Sequence, residues 1–135
     1  MNQSQKNTSA DQFYLDANVL LVIILDRPNQ DRARKFIEAH LDNLFISTLT
    51  AHLIVHFGQK IVTLDVLSKF LSDYTILTLD STDFDWAFNN ARNQDFEDAL
   101  QLSVGIRNGC NQFITFDKKL VNTYEDLPII KTILL

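Results

Sequence analysis

Three acidic stretches stand where secondary structure should change. Tyr14-Leu15-Asp16-Ala17-Asn18 closes the first apolar run, Asp95-Phe96-Glu97-Asp98-Ala99-Leu100 opens a helical stretch, and Phe113-Ile114-Thr115-Phe116-Asp117 closes a later apolar run. In an open α/β fold the C-terminal ends of the strands form the ligand crevice. Asp16, Asp98 and Asp117 converging there would repel one another unless a cation lay between them. The first expectation is therefore a divalent-metal site, and metal-assisted hydrolysis is the chemistry it implies. Asp95 lies three residues before Asp98, so the two share a helical face. Its simplest role is to cap that helix; a second metal or a metal-bound water is the alternative. Glu97 is turned about 100° from Asp98 and is expected in solvent.

Elements that would position these acids follow from periodicity. Gln12 to Asp16 reads as a first strand, Leu44 to Ser47 as a second, Tyr74 to Leu79 as a third, Gln112 to Phe116 as a fourth, and the end of Leu127 to Leu135 as a fifth. Between them, Ala33, Phe36, Ile37, His40 and Leu41 recur with helical spacing. Thr48 to Phe57 reads as a helix stopped by Gly58, and Lys60 to Leu71 as another. Ser81 or Thr82 should cap a helix whose Phe84, Ala87, Phe88 and Ala91 share a face. Asp95 should open a helix running to about Asn108, with Gly109 as its stop. Strands alternating with helices predict a single-domain α/β fold, a three-layer α/β/α sandwich around a mostly parallel five-stranded sheet.

The chain of 135 residues is long enough for one core, and no linker or repeat divides it. Residues 1–11 read as a disordered polar tail and 12–135 as the domain. The tail has no apolar signal core and no run approaches the ~20 residues of a membrane span, so a cytoplasmic protein is expected, with no membrane partner. The single cysteine, Cys110, fits a reducing compartment and reads as a small buried residue. The net charge of −5 argues against broad electrostatic binding of nucleic acid, though not against a nuclease. Six acids lie between Asp80 and Asp98 with Arg92 as the one base, so a metal is expected to neutralise part of that deficit. Arg27, Arg32, Arg34 and Lys35 form a basic cluster whose plainest reading is a solvated helix face.

Asp16-Ala17-Asn18 after strand one, Asp98-Ala99-Leu100 on a late helix and Thr115-Phe116-Asp117 after strand four together make the chain resemble the PIN-domain family. The likeness is to the small bacterial ribonuclease toxins of VapBC-type toxin–antitoxin pairs. Each motif alone is weak; their order and context give the resemblance its weight, and it covers nearly everything after Asp11. It implies strand order 3-2-1-4-5, which sets Asp16 and Asp117 on the two lips of one crevice at the switch point. It further implies that Asp16, Asp98 and Asp117 hold Mg²⁺ or Mn²⁺ for hydrolysis of RNA, with a cognate antitoxin as partner and a homodimer as assembly. Asn18 would orient Asp16 or reach substrate, Thr115 would hold a metal-bound water or a phosphate, and Arg27, Arg32 and Lys35 would steer the RNA backbone.

The departure is on the helix after strand two, where the family has a glutamate and this chain aligns His52. Histidine ligates Mn²⁺ more readily than Mg²⁺. The alternative to a ribonuclease is accordingly a PIN-fold module, weak or inactive in catalysis, that binds RNA or a protein partner. His52 and His56 share the i, i+4 spacing of zinc hydrolases, but Leu53 stands where such a site places its glutamate. His52 is expected towards the crevice, with His56 packed or half-exposed and His40 structural. A receiver-like or nucleotide-binding domain fits poorly: paired acids after strand one and a lysine after the last strand are missing, and Gly58, Gly105 and Gly109 build no phosphate loop.

Overall fold

Apolar residues on both sides of a strand demand cover on both faces of the sheet, and this chain supplies it. In the computed structural model, which describes residues 10–135, Phe13–Leu15 (β1), Leu44–Ser47 (β2), Thr75–Leu77 (β3), Gln112–Thr115 (β4) and Lys131–Leu134 (β5) form one sheet. Its order is β3-β2-β1-β4-β5 and every pair is parallel, as expected. The tail expected over residues 1–11 lies outside the described residues except for Ala10 and Asp11, and Asp11 already accepts a hydrogen bond from Asn111.

Seven helices among the described residues make the crossovers: Ala17–Ile24 (α1), Gln30–Ala39 (α2), Thr48–Gly58 (α3), Leu64–Leu71 (α4), Ser81–Asn90 (α5), Phe96–Arg107 (α6) and Lys118–Tyr124 (α7). Phe13 and Leu15 of β1 join Val19, Leu20, Ile37, Ile54 and Leu67 in one core, under α1 to α4. Tyr14, pointing the other way, joins Leu102, Val104, Phe113, Leu120 and Tyr124 under α6 and α7. The strand order reverses between β1 and β4, so a crevice opens beyond their C-terminal ends. His40 is structural, its ring 4.4 Å from that of Phe13 and 4.5 Å from that of Phe36. Burial pushes the Cys110 thiol up to about 12, which suits an inert core residue.

Several boundaries differ from expectation, each for a local reason. The helix expected from Lys60 begins at Leu64, because the Thr63 hydroxyl accepts from the Val66 amide at 3.2 Å and fixes the start there. Thr63→Ala should therefore lower stability by about 1 kcal/mol in a urea melt. The third strand stops at Leu77 because Asp80 caps α5, in place of Ser81 or Thr82, forming a capping box with Asp83. Gly58 is not a left-handed cap. It closes α3 where a Cβ would lie 2.7 Å from Leu67 Cδ2 and 2.9 Å from Ile24 Cγ2, so it serves close packing. Gly109 is the left-handed stop expected after α6, at φ 82°.

The face that Phe84, Ala87, Phe88 and Ala91 share on α5 is not the one the fold buries. Ala87 is buried, but its inward partner is Asp83, while Phe84 and Phe88 are 43% and 75% exposed. Both phenylalanines lean on Phe96 instead, Phe88 with ring centroids 4.7 Å apart. Asp83 takes the inward place because Arg107 and Ser103 of α6 neutralise and bond it. The same arginine pairs with Asp80 at 3.5 Å. Part of the acidic excess that a metal was expected to offset is thus offset by Arg107, which lies beyond that segment.

Candidate active site at the end of strands one and four

Asp16 follows β1 directly. Its amide donates to the Ile114 carbonyl at 2.9 Å, which carries the β1–β4 ladder one residue further and fixes where its side chain emerges. The carboxylate is buried. Oδ2 accepts from Thr115 Oγ1 at 2.9 Å and from Asn18 Nδ2 at 3.3 Å, and Oδ1 accepts from Gln101 Nε2 at 3.3 Å. Burial pushes the Asp16 carboxyl up to about 6, against the opposing pull of the Thr115 and Gln101 hydrogen bonds.

Thr115 and Asn18 brace this residue. Thr115 Oγ1 donates to Asp16 while accepting from Asn18 Nδ2 at 3.1 Å and from the Asp117 amide at 3.0 Å. Asn18 Oδ1 accepts from the Phe116 amide at 3.2 Å, which fixes the orientation of its amide group. Asp117 caps α7: its Oδ1 accepts from the Lys119 and Leu120 amides at 2.9 and 3.2 Å. That cap holds the carboxylate at the mouth of the same crevice.

Asp98 lies in the first turn of α6 and is half-buried. Its carboxyl is pushed up to about 9, first by burial, then by a hydrogen bond with Asp95, then by the negative charges of Asp16, Asp95 and Asp117. The fold therefore brings the three predicted acids and Asp95 into one electrostatic neighbourhood. Asp95 occupies the N-cap position of α6 but makes no side-chain cap bond; its carboxyl pairs with Asp98 instead. Glu97 is exposed, as expected.

His52 is not brought into this group. It is exposed on α3, with the His56 ring 6.0 Å away, and among the described residues no hydrogen bond or ion pair joins it to the acids. The α3 side chain that reaches the Asp16 network is Thr50, and two residues along a helix turn His52 about 200° from it. Among the basic candidates, Arg32 donates to the Leu135 carbonyl at 3.4 Å, and the Leu135 amide donates to the Thr115 carbonyl at 2.8 Å. Arg32 thus stands at the C-terminal rim of the sheet; Arg27 and Lys35 are exposed nearby in sequence.

Gln101, Thr50 and Tyr14 escaped the sequence reading. Gln101 is buried one turn after Asp98, and its Oε1 accepts from Tyr14 Oη at 3.3 Å and Thr50 Oγ1 at 3.2 Å. Its signal was present: a long polar side chain at i+3 from Asp98 inside an otherwise apolar stretch. Among the described residues, no three histidine, cysteine or acidic side chains form a ready-made metal cluster. The donor chemistry nevertheless fits a hard divalent ion, since the converging groups are all carboxylate oxygens and Asp98 carries repulsion that a cation would relieve.

The fold is similar to solved structures at low sequence identity. One is a toxin–antitoxin complex from Klebsiella pneumoniae (TM-score 0.73, 17% identity, covering 92% of this chain and 100% of that one). A second is DNA-bound VapBC from Salmonella typhimurium (TM-score 0.64, 17% identity, 92% and 98% covered). A third is VapBC2 from Rickettsia felis bound to a promoter DNA fragment (TM-score 0.63, 15% identity, 90% and 97% covered). No curated protein matches the sequence. The PIN domain model matches residues 13–126, nearly the whole described chain and every residue of the acidic crevice, and the protein therefore belongs to the PIN domain family.

Proposed function

We propose that this protein is a divalent-metal-dependent ribonuclease that hydrolyses RNA phosphodiester bonds, and that it is the toxin of a toxin–antitoxin pair. The observation that carries this reading is Asp98, whose carboxyl is crowded by Asp16, Asp95 and Asp117 at the switch point of a PIN fold. Asp16, Asp98 and Asp117 would hold Mg²⁺ or Mn²⁺, with Asp95 beside them. When bound, such an ion would supply Lewis acidity at the phosphoryl group and lower the pKa of water, making hydroxide available as the nucleophile.

The chain's own residues do the rest. Thr115, Asn18 and Gln101 hold the Asp16 carboxylate in one orientation. Burial and the neighbouring carboxylates favour the protonated form of the hydrogen-bonded Asp95–Asp98 pair, so cation binding would be coupled to release of a proton from that pair. Arg32 at the rim would offer positive charge to the RNA backbone, with Arg27 and Lys35 adding to it. Leu64 of α4 and Ile76 of β3 are exposed and line one groove, an apolar surface that supports a protein partner, whether an antitoxin or a second copy in a homodimer. The antitoxin is favoured by the complexes that share the fold. No described helix is long and apolar enough to cross a membrane, and the reading places the protein in the cytoplasm.

The test is cleavage of RNA with Mn²⁺ and Mg²⁺ in turn. Cleavage should stop on chelation with EDTA and return when the ion is added in excess. Binding of RNA without cleavage in either ion would replace this reading by the non-catalytic module. Activity indifferent to EDTA would remove the metal from the mechanism.

A further inference from the structure

Among the described residues Gln101 is the one buried side-chain amide that touches a site acid, and both ends of that amide are committed. Its Oε1 accepts from two hydroxyls, Tyr14 Oη at 3.3 Å and Thr50 Oγ1 at 3.2 Å. A carbonyl oxygen satisfied in this way leaves the NH₂ end no choice but to point at Asp16 Oδ1, 3.3 Å away. Flipping the amide would set a carbonyl oxygen against the Asp16 carboxylate, two acceptors with no donor between them. The orientation is further secured because α3 is itself fixed by Ser47, whose Oγ accepts from the Thr50 amide at 3.2 Å.

Asp16 is consequently held from two sides by three elements. Oδ2 carries two hydrogen bonds, from β4 and α1, while Oδ1 carries one, from α6. An ionised carboxylate oxygen has about two lone-pair directions, so Oδ1 keeps the spare capacity. We propose that Gln101, locked by Thr50 and Tyr14, is a positioning residue that presents Asp16 to the cation through Oδ1. This rests on the metal-dependent reading above and deepens it. It gives α3 a role at the site through a hydroxyl that orients an amide, where the family's glutamate would contribute a further charge.

Wild type, Gln101→Leu and Thr50→Val separate the claims. The first readout is exchange of the Gln101 side-chain amide protons with water, followed by NMR without metal. Slow exchange is expected in wild type, and exchange about 10-fold faster in Thr50→Val. Rates in wild type equal to those of free glutamine would overturn the clamp. The second readout is calorimetric binding of Mn²⁺ alone to the protein. Gln101→Leu should bind Mn²⁺ about 10-fold more weakly, as loss of a group that orients a metal ligand typically does, and Thr50→Val should move in the same direction by less. Unchanged Mn²⁺ affinity in both variants would overturn the positioning role. Thr50→Val touches no acid, so it carries the test if Gln101→Leu does not fold. Absence of Mn²⁺ binding by wild type would sink the metal reading, while slow amide exchange would still assign the clamp to Gln101.

Discussion

Arg107→Met should lower stability by about 3 kcal/mol, a large share of the ~5–15 kcal/mol that holds a domain of this size together. The reason is Asp83, which is fully buried and accepts four hydrogen bonds. Two come from the Arg107 guanidinium, Nε to Oδ1 at 3.0 Å and Nη2 to Oδ2 at 2.8 Å. The other two, from Ser103 Oγ and the Asp80 amide, would remain. Methionine keeps much of the packing volume and removes the charge, leaving a carboxylate in the interior without its counter-ion. Breaking a buried pair by removing one partner costs about 3–5 kcal/mol, and the lower end applies because the Arg107 side chain is 33% exposed, so water can enter where it stood. Urea unfolding followed by circular dichroism measures the loss. Adding Asp83→Asn to Arg107→Met should recover a good part of it, since the orphaned charge is then gone. A loss under 1 kcal/mol in the single variant would mean that water reaches Asp83 at little cost.

This pair also marks where the sequence stopped being readable. The crevice was legible because strand ends, motif order and acid spacing are local features. Asp16 lies just past β1, Asp98 one turn into α6 and Asp117 just past β4, and the all-parallel sheet in its expected order brings them together. Asp83 was not legible, because its partner lies 24 residues away on another helix. An apolar periodicity of Phe84, Ala87, Phe88 and Ala91 suggests one inward face, but a satisfied ion pair moved that face by one position and left Phe84 and Phe88 outside the core, packed on Phe96. Gln101 failed for the same reason in milder form: its value depends on hydroxyls from β1 and α3 that only the tertiary fold supplies. His52 shows the converse. Alignment to a motif gives a residue's place along the chain, whereas the rotation of α3 is set by Thr50 and Ile54, which are buried.

Asp98→Asn should abolish cleavage yet make the metal-free protein more stable at alkaline pH. The variant keeps the shape of the side chain and removes the charge that binds a cation, so RNA cleavage and Mn²⁺ affinity should each fall at least about 100-fold. The stability effect has the opposite sign. In the fold the Asp98 carboxyl is pushed from 3.8 to about 9 by burial, the Asp95 hydrogen bond and the surrounding carboxylates. A carboxyl raised in this way stabilises the fold fully at pH below its unfolded value, and that stability is lost as pH rises towards the folded one. Asp16, raised to about 6, adds a loss over the lower part of the same window. Between pH 6 and 9 the decline should belong mainly to Asp98. Thermal melts in EDTA should therefore show wild type falling over that range and Asp98→Asn nearly flat, the two converging only as pH falls to the unfolded value of 3.8. Saturating Mn²⁺ should reverse their order, since an ion that binds only the folded wild type stabilises it by mass action. Parallel pH profiles in EDTA would show that Asp98 is not crowded. Equal stabilisation of both proteins by Mn²⁺ would place the ion elsewhere. A functional carboxylate cluster is built against the stability of its own metal-free fold, and these two melts measure that opposition directly.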